Sequence, residues 1–500
     1  MKKYSTLYCL LFLAFFIPTS AQVVTFQKVI GGSGAEYLYG AVQTSDSGFV
    51  LAGVTESYGA GSIDYYLVKL DKNGDMAWTK TYGGASGDFE PDFIQTSDSG
   101  FAFLGSSYSF GNRPKAYLVK LDKAGNVSWS KTFSGIDAVY GSAIEQSTDG
   151  GFLIGTSNVI NSQHSASIIK TDSVGNVLWA KDFTNSDWVK DIASTKDGGF
   201  IAIGESYQTS TIFPDMYMLR FDSSLNLIKA NKLSPSTAYT ISQTKDGGFI
   251  ITNGGLLKLD SVGNVEWQMG YVFQVYSTKE SGKGGYLITG QTSEFGATDA
   301  ILAETDSLGQ ILWSHTYGIS GPEQGDFATN TLDGGYMMAG IRYGMMGPPS
   351  KLYIVKTDSL ANSGCFELTV SAHDSLYPKV TTGFASTISN GSVNSQFVST
   401  TVGTGGTVQT LCTSVDVRDL ELSDDIVVYP NPARNILRVK VKPDKSEWVS
   451  VNDIVGKSVK VVWTRKGDEI LLNVGHLSPG IYIITYKAGQ RSTQAKFYRY

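Results

Sequence analysis

Apolar residues in this chain come in short runs closed by Gly, Asp and Asn, the pattern of strands and tight turns and not of long helices. The clearest stretch lies between Asp149 and Lys181. It reads Asp-Gly-Gly-Phe, an apolar run, a loop, Ile-Ile-Lys-Thr-Asp, a Gly-Asn turn and Trp-Ala-Lys. These features recur seven times. The Asp-x-Gly-aromatic turns begin at Asp46, Asp98, Asp149, Asp197, Asp246 and Asp333, and a worn copy at Lys283 to Tyr286 puts Lys283 in the Asp place. Successive spacings are 52, 51, 48, 49, 37 and 50 residues, a period that suits a β-propeller or array better than a helical solenoid.

Four strands are expected per copy, in the first at about 37–44, 49–55, 65–71 and 76–82. The second and third are apolar on both faces and should be covered on both sides, whereas the fourth alternates and should lie outermost. The two ends of the repeat region complement each other. Residues 25–32 align with 77–84, so the chain opens on a fourth strand, and the seventh copy stops after Lys356-Thr357-Asp358, with Cys365 where its Trp strand should be. Pairing those ends would close a ring and remove its open edges. The expected fold is therefore all-β: a seven-bladed β-propeller over residues 22–363, closed by its N-terminal strand. The repeated Trp78, Trp129, Trp179, Trp267 and Trp313 each follow the Asp ending the third strand by seven residues, with Lys229 in that place in the fourth copy. Their regular position points to packing between blades and not to a ligand cage. The repeated Asp-Gly turns, and Asp71 to Asp75 with its faint likeness to a calcium loop, read as plain turns.

Composition changes after the repeat. Residues 364–419 are rich in Ser, Thr, Val and Gly, with alternating stretches such as 396–402 that suggest a few strands; a small β module and a strap laid over the propeller both fit. Residues 420–500 alternate apolar and polar positions between Gly, Pro and Asn turns, as an antiparallel sandwich does. At the other end, Lys2 and Lys3, an apolar core from Leu7 to Ile17 and Thr19-Ser20-Ala21 form a signal peptide over residues 1–21. No later run reaches the roughly 20 apolar residues of a membrane span. In an oxidising compartment Cys365 and Cys412 are expected to form a disulfide, worth on the order of 4 kcal/mol in chain entropy. Cys9 falls in the discarded peptide.

The last eighty residues carry Val428-Tyr429-Pro430-Asn431-Pro432-Ala433, then Val451-Asn452-Asp453-Ile454-Val455-Gly456-Lys457, then Leu477-Ser478-Pro479-Gly480-Ile481-Tyr482, and a final Lys496-Phe497. In order and spacing these blocks resemble the type A C-terminal sorting domain of the type IX secretion system, with Tyr429, Pro430, Asn431, Pro432, Asp453, Gly456, Lys457, Gly480 and Tyr482 as its motif residues. The ending Lys496-Phe497-Tyr498-Arg499-Tyr500 is bulkier than the family's usual finish. The resemblance implies an immunoglobulin-like β-sandwich that takes the folded cargo across the outer membrane of a Bacteroidetes-type bacterium, with the secretion machinery as partner. It implies cargo that is released or attached to the outer-membrane surface. The run Leu70-Asp71-Lys72-Asn73-Gly74-Asp75-Met76-Ala77-Trp78 is similar to the blades of quinoprotein-like propellers. Neither their usual eight blades nor their cofactor constellation is traced, so no cofactor is expected.

Charge narrows the function further. With 40 basic and 46 acidic residues, net charge -6, the chain offers no basic field for nucleic acid. The four histidines, His164, His315, His373 and His476, share no metal-ligand spacing, and no catalytic motif stands in a convincing context. Individuality lies in the loops after the second and fourth strands, which share one face. There Tyr58, Asp64, Tyr108, Arg113, Tyr207, Phe295, Arg342 and Tyr343 are the candidate ligand-binding residues, joined by Phe110, Phe213 and the carboxylates Asp88, Glu90, Asp92, Asp187, Glu323 and Asp326. Rings beside carboxylates and arginines suit a glycan or protein ligand. The expected function is an exported binding module, with a glycan-active enzyme using these carboxylates as the alternative. Asp-Ser-apolar triplets such as Asp306-Ser307-Leu308 resemble O-glycosylation sites of Bacteroidetes exported proteins; turn chemistry explains them as well.

Overall fold

The computed structural model of the chain describes residues 23–135, 137–160, 163–207, 214–233, 236–293, 298–318, 321–344, 349–364, 367–370, 374–375, 381–383, 388–390, 393–413, 426–429, 433–441, 447–453, 458–488 and 491–499. Those residues form strands and turns without a helix, in two compact units, Met1–Ser414 and Val415–Tyr500.

The first unit holds seven antiparallel sheets of five strands each. In sheet 1 the strands Glu36–Gln43, Phe49–Thr55, Asp64–Leu70 and Met76–Gly83 follow one another, as the repeat predicts. Sheets 2 to 6 repeat this from first strands at Asp88–Gln95, Ala138–Gln146, Trp188–Ser194, Thr240–Gln243 and Gln274–Glu280. The seventh takes Glu323–Asn330, Tyr336–Arg342 and Lys351–Lys356, and completes itself with the N-terminal strand Phe26–Gly31, paired from Phe26↔Lys356 to Ile30↔Leu352. First strands of successive sheets pack together, and that of sheet 7 packs on that of sheet 1.

The fifth strands come from one place. Residues 367–413 lend Glu367–Thr369 to sheet 6, Asp374–Ser375 to sheet 5, Thr381–Gly383 to sheet 4 and Ile388–Asn390 to sheet 3. Asn394–Phe397 then joins sheet 2, Thr401–Gly403 sheet 1 and Thr407–Thr413 the N-terminal strand in sheet 7. The Ser/Thr-rich segment is thus a belt visiting all seven sheets in reverse order, the strap of the two arrangements its composition allows. Most of its strands have two to four residues, too short to offer a template for foreign strands.

The repeated residues hold sheets together. The turn Asp and a cation on the third strand pair as Asp46–Lys69, Asp98–Lys120, Asp149–Lys170, Asp197–Arg220, Asp246–Lys258 and Asp333–Lys356. Each fourth-strand ring docks on the next sheet: Trp129 on Phe152 at 5.9 Å, Trp179 on Phe200 at 6.3 Å, Trp267 on Tyr286 at 5.8 Å and Trp313 on Tyr336 at 5.1 Å. Phe26 of the N-terminal strand docks on Phe49 of sheet 1 at 5.9 Å, taking the Trp place between sheets 7 and 1. In the second unit two four-stranded antiparallel sheets share one core, with Leu437, Val439, Ile470 and Leu472 from one and Val451, Tyr482, Ile484 and Phe497 from the other.

Candidate functional site

Six of the seven first strands carry a bulge. The residues left unpaired are Tyr39, Glu90 with Pro91, Ser142, Lys190, Tyr276 and Asp326. Opposite each bulge the second strand has a glycine. A Cβ on Gly53 would stand 2.0 Å from the Tyr37 carbonyl oxygen, and one on Gly290 1.7 Å from that of Gln274, so no other residue lets the bulged backbone come so close. The bulges aim side chains out of the ladder. Tyr39, Glu90, Ser142 and Lys190 line a cavity of about 760 Å³ enclosed by the first strands of sheets 1 to 5 and sheet 7.

Three carboxylates also line this cavity. Asp92 accepts the N–H groups of Phe93 and, across to sheet 3, Ile144, each at 2.7 Å; Asp191 accepts those of Ile192 and, across to sheet 5, Ile241, each at 2.7 Å. Glu145 accepts the Ser194 N–H of sheet 4 at 3.2 Å. Burial raises the pKa of all three. Neighbouring charge adds to the rise, from Glu145 on Asp92 and from Asp92 and Glu145 on Asp191. At the bulge of sheet 7, burial pushes Asp326 up to about 7 although Gln324 donates to it.

Aromatic rings gather beside the cavity. Phe89 and Tyr108 meet edge to face at 5.8 Å, Tyr108 is close enough to Tyr140 to act on its hydroxyl, Tyr140 lies 5.9 Å from Trp188, and Trp188 lies against His164 at 4.8 Å with its ring tilted by 33°. This strip runs across sheets 2, 3 and 4, and Trp188 is itself a cavity wall. A second group joins Tyr239 and Tyr276, edge to face at 5.5 Å, both tied to Gln274. Tyr343, hydrogen-bonded to Gln324 at 3.1 Å, is close enough to Asp326 and Tyr37 for their charges to act on it.

The residues singled out in the sequence scatter among these surroundings. Tyr108 belongs to the first aromatic group, and Tyr343 stands at Gln324 by the bulge of sheet 7. Tyr58 instead packs on Tyr66 at 6.1 Å, under Gly405 of the belt. Asp64 is buried and accepts the Gly61 N–H at 2.9 Å. Arg113 pairs with Asp137 and Arg342 with Glu323, the latter at 3.1 Å. The Tyr207 N–H donates to Asp187 at 2.6 Å, and its hydroxyl faces Glu205 at 3.5 Å. Phe295, Phe213, Cys365, Pro430, Asn431, Pro432, Gly456 and Lys457 lie outside the described residues. Cys412 stands opposite Gln27 of the N-terminal strand. Tyr429 donates to Glu469, Asp453 pairs with Tyr482 across two strands, Gly480 opens the strand Gly480–Ala488, and Tyr482 stacks in the core on Phe497 at 5.6 Å. Loop reasoning missed Tyr39, Tyr140, Trp188 and Tyr276, which sit on first strands, and Tyr239, which immediately precedes one. The glycine in the middle of every second strand but that of sheet 5 was the available signal for those bulges.

Among the described residues no three His, Cys, Asp or Glu side chains converge on a possible metal position, and no helix is long and apolar enough to cross a membrane. No curated protein matches the chain. Among solved structures it is similar to a protein of unknown function from Dyadobacter fermentans DSM 18053, at TM-score 0.37 and 11% identity, covering 66% of this chain and 97% of that one. The extracellular region of plexin A4, domains 1 to 8, matches at TM-score 0.35 and 8% identity, covering 96% of this chain and 62% of that one. Likenesses this faint leave the fold to rest on the sheets described above. Residues 427–498 match the family described as the secretion system C-terminal sorting domain. They mark the chain for export through the type IX machinery, to be secreted or attached at the cell surface.

Proposed function

We propose that the seven sheets are the blades of a closed propeller and that the exported protein binds a glycan chain across the mouth of its central cavity. The observation that carries this reading is the strip Phe89–Tyr108–Tyr140–Trp188–His164, five rings from three neighbouring sheets beside one cavity. Flat faces in a row stack on successive sugar rings, and Glu90 and Lys190 beside them supply acceptors and donors for hydroxyls. Closure is supported by Phe26 on Phe49, and by Gln43 of sheet 1 accepting the Leu332 N–H of sheet 7 at 2.8 Å. Residues 1–21 are read as the signal peptide, 22–363 as the propeller, 364–419 as belt and linker, and 420–500 as an immunoglobulin-like sorting domain. A Cys365–Cys412 disulfide completes this reading. It is supported by the place of Cys412, opposite Gln27, whose side chain bonds Ser363, two residues from Cys365.

Glycan-array screening of the protein, followed by titration calorimetry on any hit, tests the site. Trp188→Ala and Tyr140→Ala should each weaken binding by about tenfold or more, roughly 1.4 kcal/mol, while Tyr58→Ala leaves it unchanged. Equal affinity of all three variants would remove the strip from the site. The enzyme reading draws on Asp92, Glu145 and Asp191 facing one cavity with raised pKa values. The geometry favours binding, because both oxygens of Asp92 and of Asp191 already accept backbone N–H groups, one from the next residue and one from the adjacent sheet. Glycan hydrolysis by the wild type that Asp92→Asn abolishes would reverse that preference.

A further inference from the structure

We infer that the belt is a lock on ring closure and that its last strand, Thr407–Thr413, is the working part. This rests on reading the seven sheets as a closed ring. Sheet 7 is where such a ring must close, since its Phe26–Gly31 and Lys351–Lys356 strands come from opposite ends of the repeat region. With only that pairing, the N-terminal strand would be an edge strand with one free side, the seam most easily unzipped. The last belt strand covers that side.

Three observations single this strand out from the rest of the belt. Elsewhere the belt pairs over two to four residues, but here the ladder runs the whole length of the N-terminal strand, from Phe26↔Thr413 to Gly31↔Thr407. Its apolar side chains enter both neighbouring seams. Val408 packs on the core shared by sheets 7 and 1, with Phe26, Ile30, Phe49 and Leu51, and Leu411 on the core shared by sheets 6 and 7, with Leu302, Tyr336 and Tyr353. A side-chain bond fastens this strand to the end of the N-terminal strand: Thr407 Oγ1 donates to the Gly31 carbonyl at 2.9 Å.

Chain order gives the lock its direction. The belt follows every other strand of the unit in sequence, and the two seams that receive Val408 and Leu411 are complete only when the N-terminal strand lies beside Lys351–Lys356. Full docking, with Val408 and Leu411 seated in both seams, therefore comes with or after closure, and opening the seam has to break these contacts as well as the ladder.

Hydrogen–deuterium exchange on the folded protein tests this. Gln409→Pro and Thr410→Pro each replace an exposed residue of the last strand; because alternate residues of an antiparallel strand donate to a given neighbour, one of the two removes a ladder bond to the N-terminal strand. Ser389→Pro in the sheet 3 part of the belt is the control. At least one of the first two should speed exchange of residues 26–31 about tenfold or more, while the control leaves it unchanged. If all three variants act alike on residues 26–31, or none does, the lock is refuted. Should the proline variants fail to fold, the wild type decides: under mild denaturant residues 26–31 and 407–413 should open as one unit, and opening of 26–31 while 407–413 stays protected overturns the proposal. Absence of protection at 26–31 in the wild type would instead refute the closed ring itself.

Discussion

Lys283 and Glu304 show what one residue can record. Six sheets put Asp in the turn and a cation on the third strand; sheet 6 has Lys283 in the turn and Glu304 on the strand, 3.2 Å apart, so the charges are exchanged and the pair is kept. The worn look of this copy is therefore a compensated change. Glu304 is buried and also accepts from Trp313 Nε1 at 2.8 Å and the Tyr336 hydroxyl at 3.1 Å. Lys283→Asp should cost about 1–3 kcal/mol by setting two carboxylates together, and adding Glu304→Lys should restore part of it. Chemical denaturation of the two singles and the double gives the coupling; additive losses would mean the pair does not interact.

The element that matters most is the first strand of each sheet. Its turn, its fourth-strand Trp and its neighbours were legible in the repeat, because these depend on local pattern and period. The bulge was not, since it needs the second strand's glycine to lie opposite, and pairing is a tertiary fact. Loop reasoning consequently reached Tyr108 and Tyr343 but passed over Tyr140 and Trp188. The fourth strands are where packing was read correctly from position alone. Trp129 meets Phe152, and a Cβ on Gly175 of the same sheet would come within 2.9 Å of its ring. Trp129→Ala should therefore destabilise the protein by about 3–5 kcal/mol, measured as a shift of the urea midpoint; a change below 1 kcal/mol would argue against docking between sheets.

At the scale of the molecule, two classes of carboxylate oppose each other in pH. Against a burial penalty, the Thr hydroxyl, the Lys ammonium and a glycine N–H hold turn residues such as Asp46, Asp98 and Asp246 at about 2. Stability from these is present above the unfolded value near 4 and is lost as pH falls towards 2. Burial does the reverse for Asp326, at about 7, and Asp88, at about 6. Their folded forms hold the proton more tightly than the unfolded chain, so that stability is full below about 4 and is lost as pH rises to about 7. The melting temperature should peak near pH 5 and fall on both sides, with Asp326→Asn flattening the fall towards pH 8. Thermal melts from pH 3 to 8 check this, and a plateau from 5 to 8 in the wild type would count against burial of these groups.

By itself the sequence determined the all-β class, the seven copies, the complementary ends and the sorting blocks near the C-terminus. Each of these is written in local periodicity or in contiguous motifs. Tertiary structure decided where the Ser/Thr-rich segment goes, because mostly short strands with a single apolar side chain here and there, such as Val370, Val393 and Val398, carry too little pattern to announce a partner and find it only in the open edges of seven finished sheets. It also decided the candidate site, because rings and carboxylates from Tyr39 to Tyr239 meet only when first strands from distant copies stand around one cavity.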